Sequence, residues 1–349
     1  MRDLLKTARE KKNLKTREVA QLLGIDQALI SKFESGTRKP TRDQISKLAT
    51  LLEIDYETLL IAWLKEKILY EIGTDEFALK ALQVAEEQVK YTVNFKRSEL
   101  SNSLQTILNE IDTLKKILDQ KRAYDSFRIA QALELEYTFE SNRIEGNTLT
   151  LRETDLVINE GLTVSGKSMR EHLEAINHQE AISYIKQLME RGFSFNEREL
   201  LSIHNLILRG IIPEDAGRYR RVQVMIKGSS HMPPQPYLVP KEMEDYFIWY
   251  ESHKSKLHPV ILAAEMHERL VTIHPFIDGN GRTSRLVMNL ILLQHGYVIA
   301  NIKGDYDNRM RYYNALETAQ TKGNKDDFLL FIAQNEKESL ERYLSIIGS

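Results

Sequence analysis

The chain contains no cysteine, which excludes disulfides and thiolate metal sites and fits a reducing cytoplasm, the compartment expected here. No uninterrupted apolar run approaches the roughly 20 residues that a membrane helix needs. The first residues, Met1-Arg2-Asp3-Leu4-Leu5-Lys6, lack the apolar core of a secretory signal. No membrane partner is therefore expected. Neither charge is in excess: 48 Lys and Arg against 50 Asp and Glu leave a net charge of -2. A nucleic-acid surface must then be a local patch. No proline- or glycine-rich linker divides the middle of the chain. What is present, 349 residues with 42% hydrophobic and 28% charged side chains, suffices for a sizeable core in two or three mainly α-helical domains.

The chain is organised around residues 274–285, His-Pro-Phe-Ile-Asp-Gly-Asn-Gly-Arg-Thr-Ser-Arg. Residues 259–273 before it and 286–293 after it are apolar on nearly every side, which predicts two buried helices. Pro275 disfavours helical dihedrals at His274, so the first helix should end there, and Gly279 and Gly281 permit a tight turn into the second. That second helix would start with free amides beside Gly279, Asn280 and Gly281, an anion site. Arg282 and Arg285 add two positive charges from the same turn. Asp278 is a hard oxygen ligand able to hold Mg²⁺ against a polyphosphate, and His274 is the nearby group able to take a proton near neutral pH. No lysine follows the second glycine, so the stretch is not a P-loop. A helix rather than a strand precedes it, so it is not a dinucleotide fingerprint either.

This stretch resembles the signature of the Fic family of adenylyltransferases, His-Pro-Phe-x-Asp-Gly-Asn-Gly-Arg-x-x-Arg, at all nine fixed positions. The resemblance implies transfer of AMP from ATP to a Ser, Thr or Tyr hydroxyl of a protein, this chain itself included among the targets. It implies His274 as the base, Asp278 as the Mg²⁺ ligand, and Asn280, Gly281, Arg282 and Arg285 on the phosphates, with Gly279, Thr283 and Ser284 completing the nucleotide site. Doc-type kinases of the same family carry Lys at the position of Gly281, which favours nucleotidyl over phosphoryl transfer here. The alternatives are removal of AMP from a modified protein, or a transcription regulator that only senses nucleotide.

Three further segments extend that resemblance. Residues 123–145 predict a helix, with Phe127, Ala130, Leu133 and Tyr137 on one face, stopped by Gly146 and Asn147. Glu145 falls where the helix dipole disfavours an anion unless a cation meets it. Its Ser141-x-x-x-Glu145-Gly146 context is similar to the inhibitory helix of Fic proteins, in which the glutamate pairs with the second motif arginine, here Arg285. Residues 217–228 alternate in part like a strand and return through the proline-rich stretch 229–240, which predicts a small β-hairpin. It resembles the Fic flap, and Val224, Met225, Ile226, Lys227 and Gly228 would then dock a target segment by strand addition. Tyr312 and Tyr313, on a helix predicted over 308–319, come about where Fic proteins meet adenine, and Gln320 would add a polar contact to the base or ribose.

The first 62 residues predict four short helices and a short fifth after Asp55, with Thr16 capping the second and Gly24 and Gly36 ending the second and third. The turn Leu23-Gly24-Ile25-Asp26 makes a helix-turn-helix, whose second helix would enter a DNA major groove. Gln27, Ala28, Ser31 and Lys32 then face outward to read bases, while Arg17, Arg38 and Lys39 meet phosphates. The segment looks like the DNA-binding domain of the lambda repressor and Cro family. Residues 63–122 read as a helical connector, or as a surface for a homodimer, through Ile68, Leu69, Ile72, Val84, Leu100, Leu104 and Leu108, and residues 123–349 as the Fic domain.

Overall fold

The structure is a computed structural model and describes residues 1–73, 75–82, 85, 101–121, 127–190 and 195–348. Val84, Leu100 and Ala123, used above to place helices, lie outside the described residues. The chain is mainly α-helical, as expected, and divides into two compact units, Met1–Val93 and Asn94–Ser349.

The first unit holds α1 (Arg2–Lys11), α2 (Thr16–Leu23), α3 (Gln27–Ser35), α4 (Arg42–Leu52) and α5 (Tyr56–Ile72). Lys15 rather than Thr16 precedes α2, because the Lys15 amide is held by Glu18 Oε2 at 2.6 Å. Gly24, at φ 66°, ends α2, and Asp26 Oδ1 accepts from the Ala28 amide at 2.6 Å to open α3. This is the tight turn between two helices that the sequence predicts. Thr41 and Gln44 cap each other reciprocally at the start of α4. Val19, Ile30, Phe33, Ile45 and Leu59 form the core of this bundle, each contributing about 1.5–3 kcal/mol on burial. The fifth helix is not short. It runs 17 residues, past position 62, because Trp63 Nε1 donates to the Pro40 carbonyl at 2.9 Å and Glu66 takes the N-terminal amine at 3.0 Å.

The second unit holds α6 (Asn102–Lys121), α7 (Phe127–Ile144), α8 (Leu151–Asn159), α9 (Met169–Glu190), α10 (Glu197–Leu208), α11 (Val239–His253), α12 (Pro259–Ile273), α13 (Asn280–Gln294), α14 (Tyr306–Lys322) and α15 (Asp326–Ile347). The buried pair α12 and α13 is its centre. Helices α7, α9 and α10 cover α13, and α11 and α15 cover α12. Helix α6 belongs to this unit: Leu104, Leu108, Ile111 and Leu118 join its core, packed on α15. Helix α12 also buries charge. Lys325 reaches Glu265 at 2.8 Å and Glu268 at 2.5 Å, and Arg269 lies 3.7 Å above the Trp249 ring.

The hairpin expected over residues 217–228 is corrected by the structure: among the described residues no strand forms. Pro233, Pro234 and Pro236 in the return arm lack the amides that a ladder requires. The segment is tied by side chains instead. Gln223 Nε2 donates to Pro233 O at 2.9 Å, and Ser230 donates from its amide and hydroxyl to Glu317 at 2.9 and 2.6 Å.

Candidate active site

The motif forms the loop between α12 and α13. His274 caps α12 in the left-handed region (φ 50°, ψ 58°), a strained place for a residue with a side chain. The conformation breaks the helix and places the imidazole at the rim of the loop. His274 Nδ1 lies 3.2 Å from the Val271 carbonyl, so a proton on Nδ1 leaves the Nε2 lone pair available. Burial pushes the imidazole down to about 4, with the Val271 carbonyl opposing and the Arg220 cation reinforcing the shift. The ring is therefore neutral at pH 7, the form that accepts a proton.

The rest of the loop is braced from below. Asn280 Oδ1 accepts from the Phe276 amide at 3.0 Å and its Nδ2 donates to the Phe276 carbonyl at 2.9 Å. Asn280 thus brings its main chain, not its side chain, to an anion. His204 Nδ1 accepts from the Gly217 amide at 3.0 Å, so Nε2 carries the proton it donates to Asp278 O at 2.9 Å. Its ring also stacks on Phe276 at 3.6 Å. Gly279, at φ 78°, turns the chain into α13, whose first internal bond runs from the Thr283 amide to Gly279 O. The amides of Asn280, Gly281 and Arg282 are left at the open helix end.

A carboxylate already fills that end. Glu145 follows the last residue of α7, and Gly146 turns the chain at φ 95°. Arg285, 1% exposed, donates through Nη2 to Glu145 Oε1 at 2.7 Å and to Ser141 O at 2.9 Å, and through Nε to Ser141 Oγ at 3.0 Å. A Cβ on Gly281 would lie 2.3 Å from Glu145 Oε1 and 3.1 Å from Arg285 Nη1. A side chain at position 281 thus could not coexist with this carboxylate, and Nη1, buried and without a hydrogen-bond partner, points at the helix mouth. Burial works against the Arg285 charge, but Glu145 more than offsets it and the guanidinium is held above its ordinary range.

Arg282 is secured differently. Its Nη1 lies 3.3 Å from Glu174 and its Nη2 3.3 Å from Asp278. Asp278 also pairs with Arg170 of α9 at 2.5 Å. Burial opposes its charge, yet Arg282, the Gly279 amide and Arg170 together hold the carboxyl below its usual range. Among the described residues no group of three or more His, Asp or Glu could hold a metal ion. The Asp278 carboxylate, two residues before α13, nonetheless fits Mg²⁺ that arrives on a polyphosphate, since that ion takes one or two carboxylates with substrate oxygens.

The other predicted residues divide. Glu145 meets Arg285 as the resemblance implies, and Ser141, to which the sequence assigns no such contact, bonds the same guanidinium. Thr283, fully buried, and Ser284, whose Oγ donates to Gly281 O at 2.9 Å, turn their hydroxyls inward. Tyr312 is corrected to a core residue: 2% exposed, it bonds through its hydroxyl with His267 at 2.9 Å. Tyr313 is the more open of the two, 40% exposed, with its hydroxyl on Ile144 O at 3.0 Å beside the end of α7. Gln320 is partly buried, its Nε2 without a hydrogen-bond partner. Val224 to Gly228 lie largely at the surface, with Met225 79% exposed. Arg170, Glu174, His204, Arg220 and His267 carry no sequence signal, because lone polar residues on helices and loops look alike whether or not a motif packs on them. In the first unit Gln27, Ser31 and Lys32 are exposed on α3, as expected, whereas Lys39 donates to Glu66 O at 3.1 Å and stacks on Tyr70.

Residues 194–292 match the Fic/DOC family and residues 5–59 match the helix-turn-helix family. A protein adenylyltransferase Fic of Nematostella vectensis is 37% identical over 212 residues, 60% of this chain and 48% of that protein. The chain spans about half the length of the curated relatives it matches. A Fic family protein from Desulfovibrio desulfuricans G20 superposes with a TM-score of 0.62 at 28% identity, covering 71% of this chain and 76% of that one. A fragment of Fic-1 from C. elegans covers 99% of both chains with a TM-score of 0.63 at 22% identity, a likeness of fold.

Proposed function

From a chain that carries a Fic/DOC domain behind a helix-turn-helix domain, we propose a protein adenylyltransferase that transfers AMP from ATP to a protein hydroxyl and is held back by Glu145. The observation that carries this reading is the occupied start of α13, where Glu145 pairs with Arg285 and lies against Gly281. A triphosphate needs the same donors. His274 Nε2 takes the proton of the incoming hydroxyl, its oxygen bonds to the α-phosphorus, and the bond from that phosphorus to the β-phosphate bridging oxygen breaks to release pyrophosphate. The three amides and Arg285 stabilise the charge that builds on the phosphates. Asp278 would hold Mg²⁺, which supplies charge neutralisation when it enters with the nucleotide. Tyr313 and Gln320 are candidates to meet the base, and the segment 224–228 the target. Incubation with ATP labelled on the α- or the γ-phosphate tests the reaction. The α-label should become protein-bound and the γ-label should not. Retention of the γ-label would mean phosphoryl transfer and sink the proposal.

For the first unit the proposal is duplex DNA, read by Gln27, Ser31 and Lys32 on α3, with a homodimer engaging paired half-sites. The full chain should shift duplex DNA at low salt and release it steeply as salt rises. Lys32→Ala should lower that salt slope by about one if it meets a phosphate. Ser31→Ala should weaken binding without changing the slope. No retention of duplex at low salt would make the bundle a protein-contact module. Among the described residues no helix is long and apolar enough to cross a membrane, and a chain without cysteine suits a reducing cytoplasm.

A further inference from the structure

Arg220 is a buried cation in an unusual setting. It is 3% exposed, and among the described residues no carboxylate pairs with it. Every partner is a neutral oxygen. Its Nε donates to His274 O at 2.8 Å and its amide to Pro275 O at 2.8 Å. Its Nη1 donates to Val222 O at 3.1 Å, with a longer 3.4 Å contact to Gln223 Oε1, and its Nη2 donates to Pro234 O at 2.6 Å. One planar fork therefore ties three pieces of chain: the strained histidine, the outgoing arm at Val222 and the proline-rich return at Pro234. Gly217 makes the approach feasible, since a Cβ there would lie 3.0 Å from both the Leu201 carbonyl and Asn205 Cβ. Its neighbours Arg218 and Arg221 are exposed, so the burial is specific to the middle arginine of the run.

We propose that Arg220 is a positioning residue that fixes, in one geometry, the His274 base and the two arms, at Val222 and Pro234, between which the 224–228 target-docking segment lies, taking the place of a strand ladder. The inference rests on the adenylyltransferase reading above, in which that segment presents the target hydroxyl to His274. A left-handed histidine costs backbone energy and needs an external restraint on its carbonyl, and Arg220 Nε supplies it. The docking segment, with prolines in its return arm, cannot hold itself by backbone pairing, and Arg220 Nη1 and Nη2 bridge its two arms. Lysine cannot substitute, because a point charge on a flexible stem does not span two carbonyls in fixed directions.

The test uses the full chain with Glu145→Gly, alone and combined with Arg220→Lys or Arg220→Met, and Arg221→Met as an exposed control. Two measurements are made. The first is the titration of the His274 ring by ¹⁵N NMR without nucleotide, which needs no activity. It should move up from the parent's depressed value toward the ordinary range in both Arg220 variants, in Arg220→Met partly because a repelling charge is lost and in Arg220→Lys, which keeps that charge, because the cover over the ring loosens, and stay in place in Arg221→Met. The second is the rate of α-label incorporation into the chain at saturating ATP, beside the ATP dissociation constant by calorimetry. The rate should fall about ten- to a hundredfold with the dissociation constant nearly unchanged, as expected when a base and its target lose register. A role in folding alone would lower the melting temperature and leave the His274 titration where it is. If Arg220→Met does not fold, Arg220→Lys decides, since it keeps the charge and loses the fork. A His274 titration in the folded Arg220 variants that coincides with the parent's overturns the inference. Failure of the Glu145→Gly parent to incorporate label overturns the adenylyltransferase reading instead, and the titration still decides for Arg220.

Discussion

Replacing Glu145 by Gly should raise AMP transfer, onto the chain itself included, by roughly an order of magnitude or more. The carboxylate now occupies Arg285 Nη2 at 2.7 Å and lies against Gly281 at the helix mouth. A triphosphate that enters with Glu145 present must leave that arginine to the protein, so its α-phosphate sits out of line for attack. Removing the carboxylate frees one Nη2 hydrogen, the other staying on Ser141 O, and adds it to the already unpartnered Nη1. The stability effect has a definite sign. Arg285 is 1% exposed while Glu145 is 33% exposed, so the variant leaves a buried cation with only Ser141 and loses about 1–3 kcal/mol without nucleotide, less than for a fully buried pair. ATP should restore most of that loss, because its phosphate then meets Arg285. Thermal melting with and without ATP, run beside α-label incorporation, checks both halves. An unchanged or lower rate, with ATP binding preserved, would mean that Glu145 only closes a helix.

Replacing His274 by Ala, in the wild-type chain or together with Glu145→Gly, should abolish transfer while ATP binding stays within a few-fold. The loss should be about a hundred- to ten-thousandfold, the usual worth of a positioned base. The two effects should separate because, in the proposed reaction, the phosphates are held by the helix start and Arg285 while the imidazole acts on the incoming hydroxyl. The pH profile gives an independent check. The free imidazole titrates at about 4, held there chiefly by burial, so the base is unprotonated at all pH values above that. Activity limited by this base should be flat from pH 8 to about 5 and fall as pH drops through 4, whereas an ordinary histidine would already lose half its activity near 6.5. Single-turnover rates across pH at saturating ATP measure this. Transfer by the alanine variant at the parent's rate would remove His274 from the mechanism.

Much of this protein was legible before any coordinates. Local chemistry set several helix boundaries: Gly24 and Gly36 end α2 and α3, and Pro275 forces His274 out of helix. These depend on dihedral preferences and on hydrogen bonds within four residues of chain, so a sequence contains them. The motif determined which residues gather at the start of α13, because a tight turn into a helix needs small residues there and the two arginines follow in its first turns. Other features depended on contacts between distant segments. The expected strand pairing gave way to an arginine fork, since prolines removed the donors and Arg220 found carbonyls 54 residues along the chain at His274. Tyr312 went inward because His267 of α12 offered its hydroxyl a buried partner. Asp278 and Arg282 acquired Arg170 and Glu174 from α9. The sequence by itself determined most helix ends and the set of residues gathered in the loop between α12 and α13. Tertiary packing decided which donors stay available, because each buried polar atom takes the nearest partner in space, and that partner can lie anywhere along the chain.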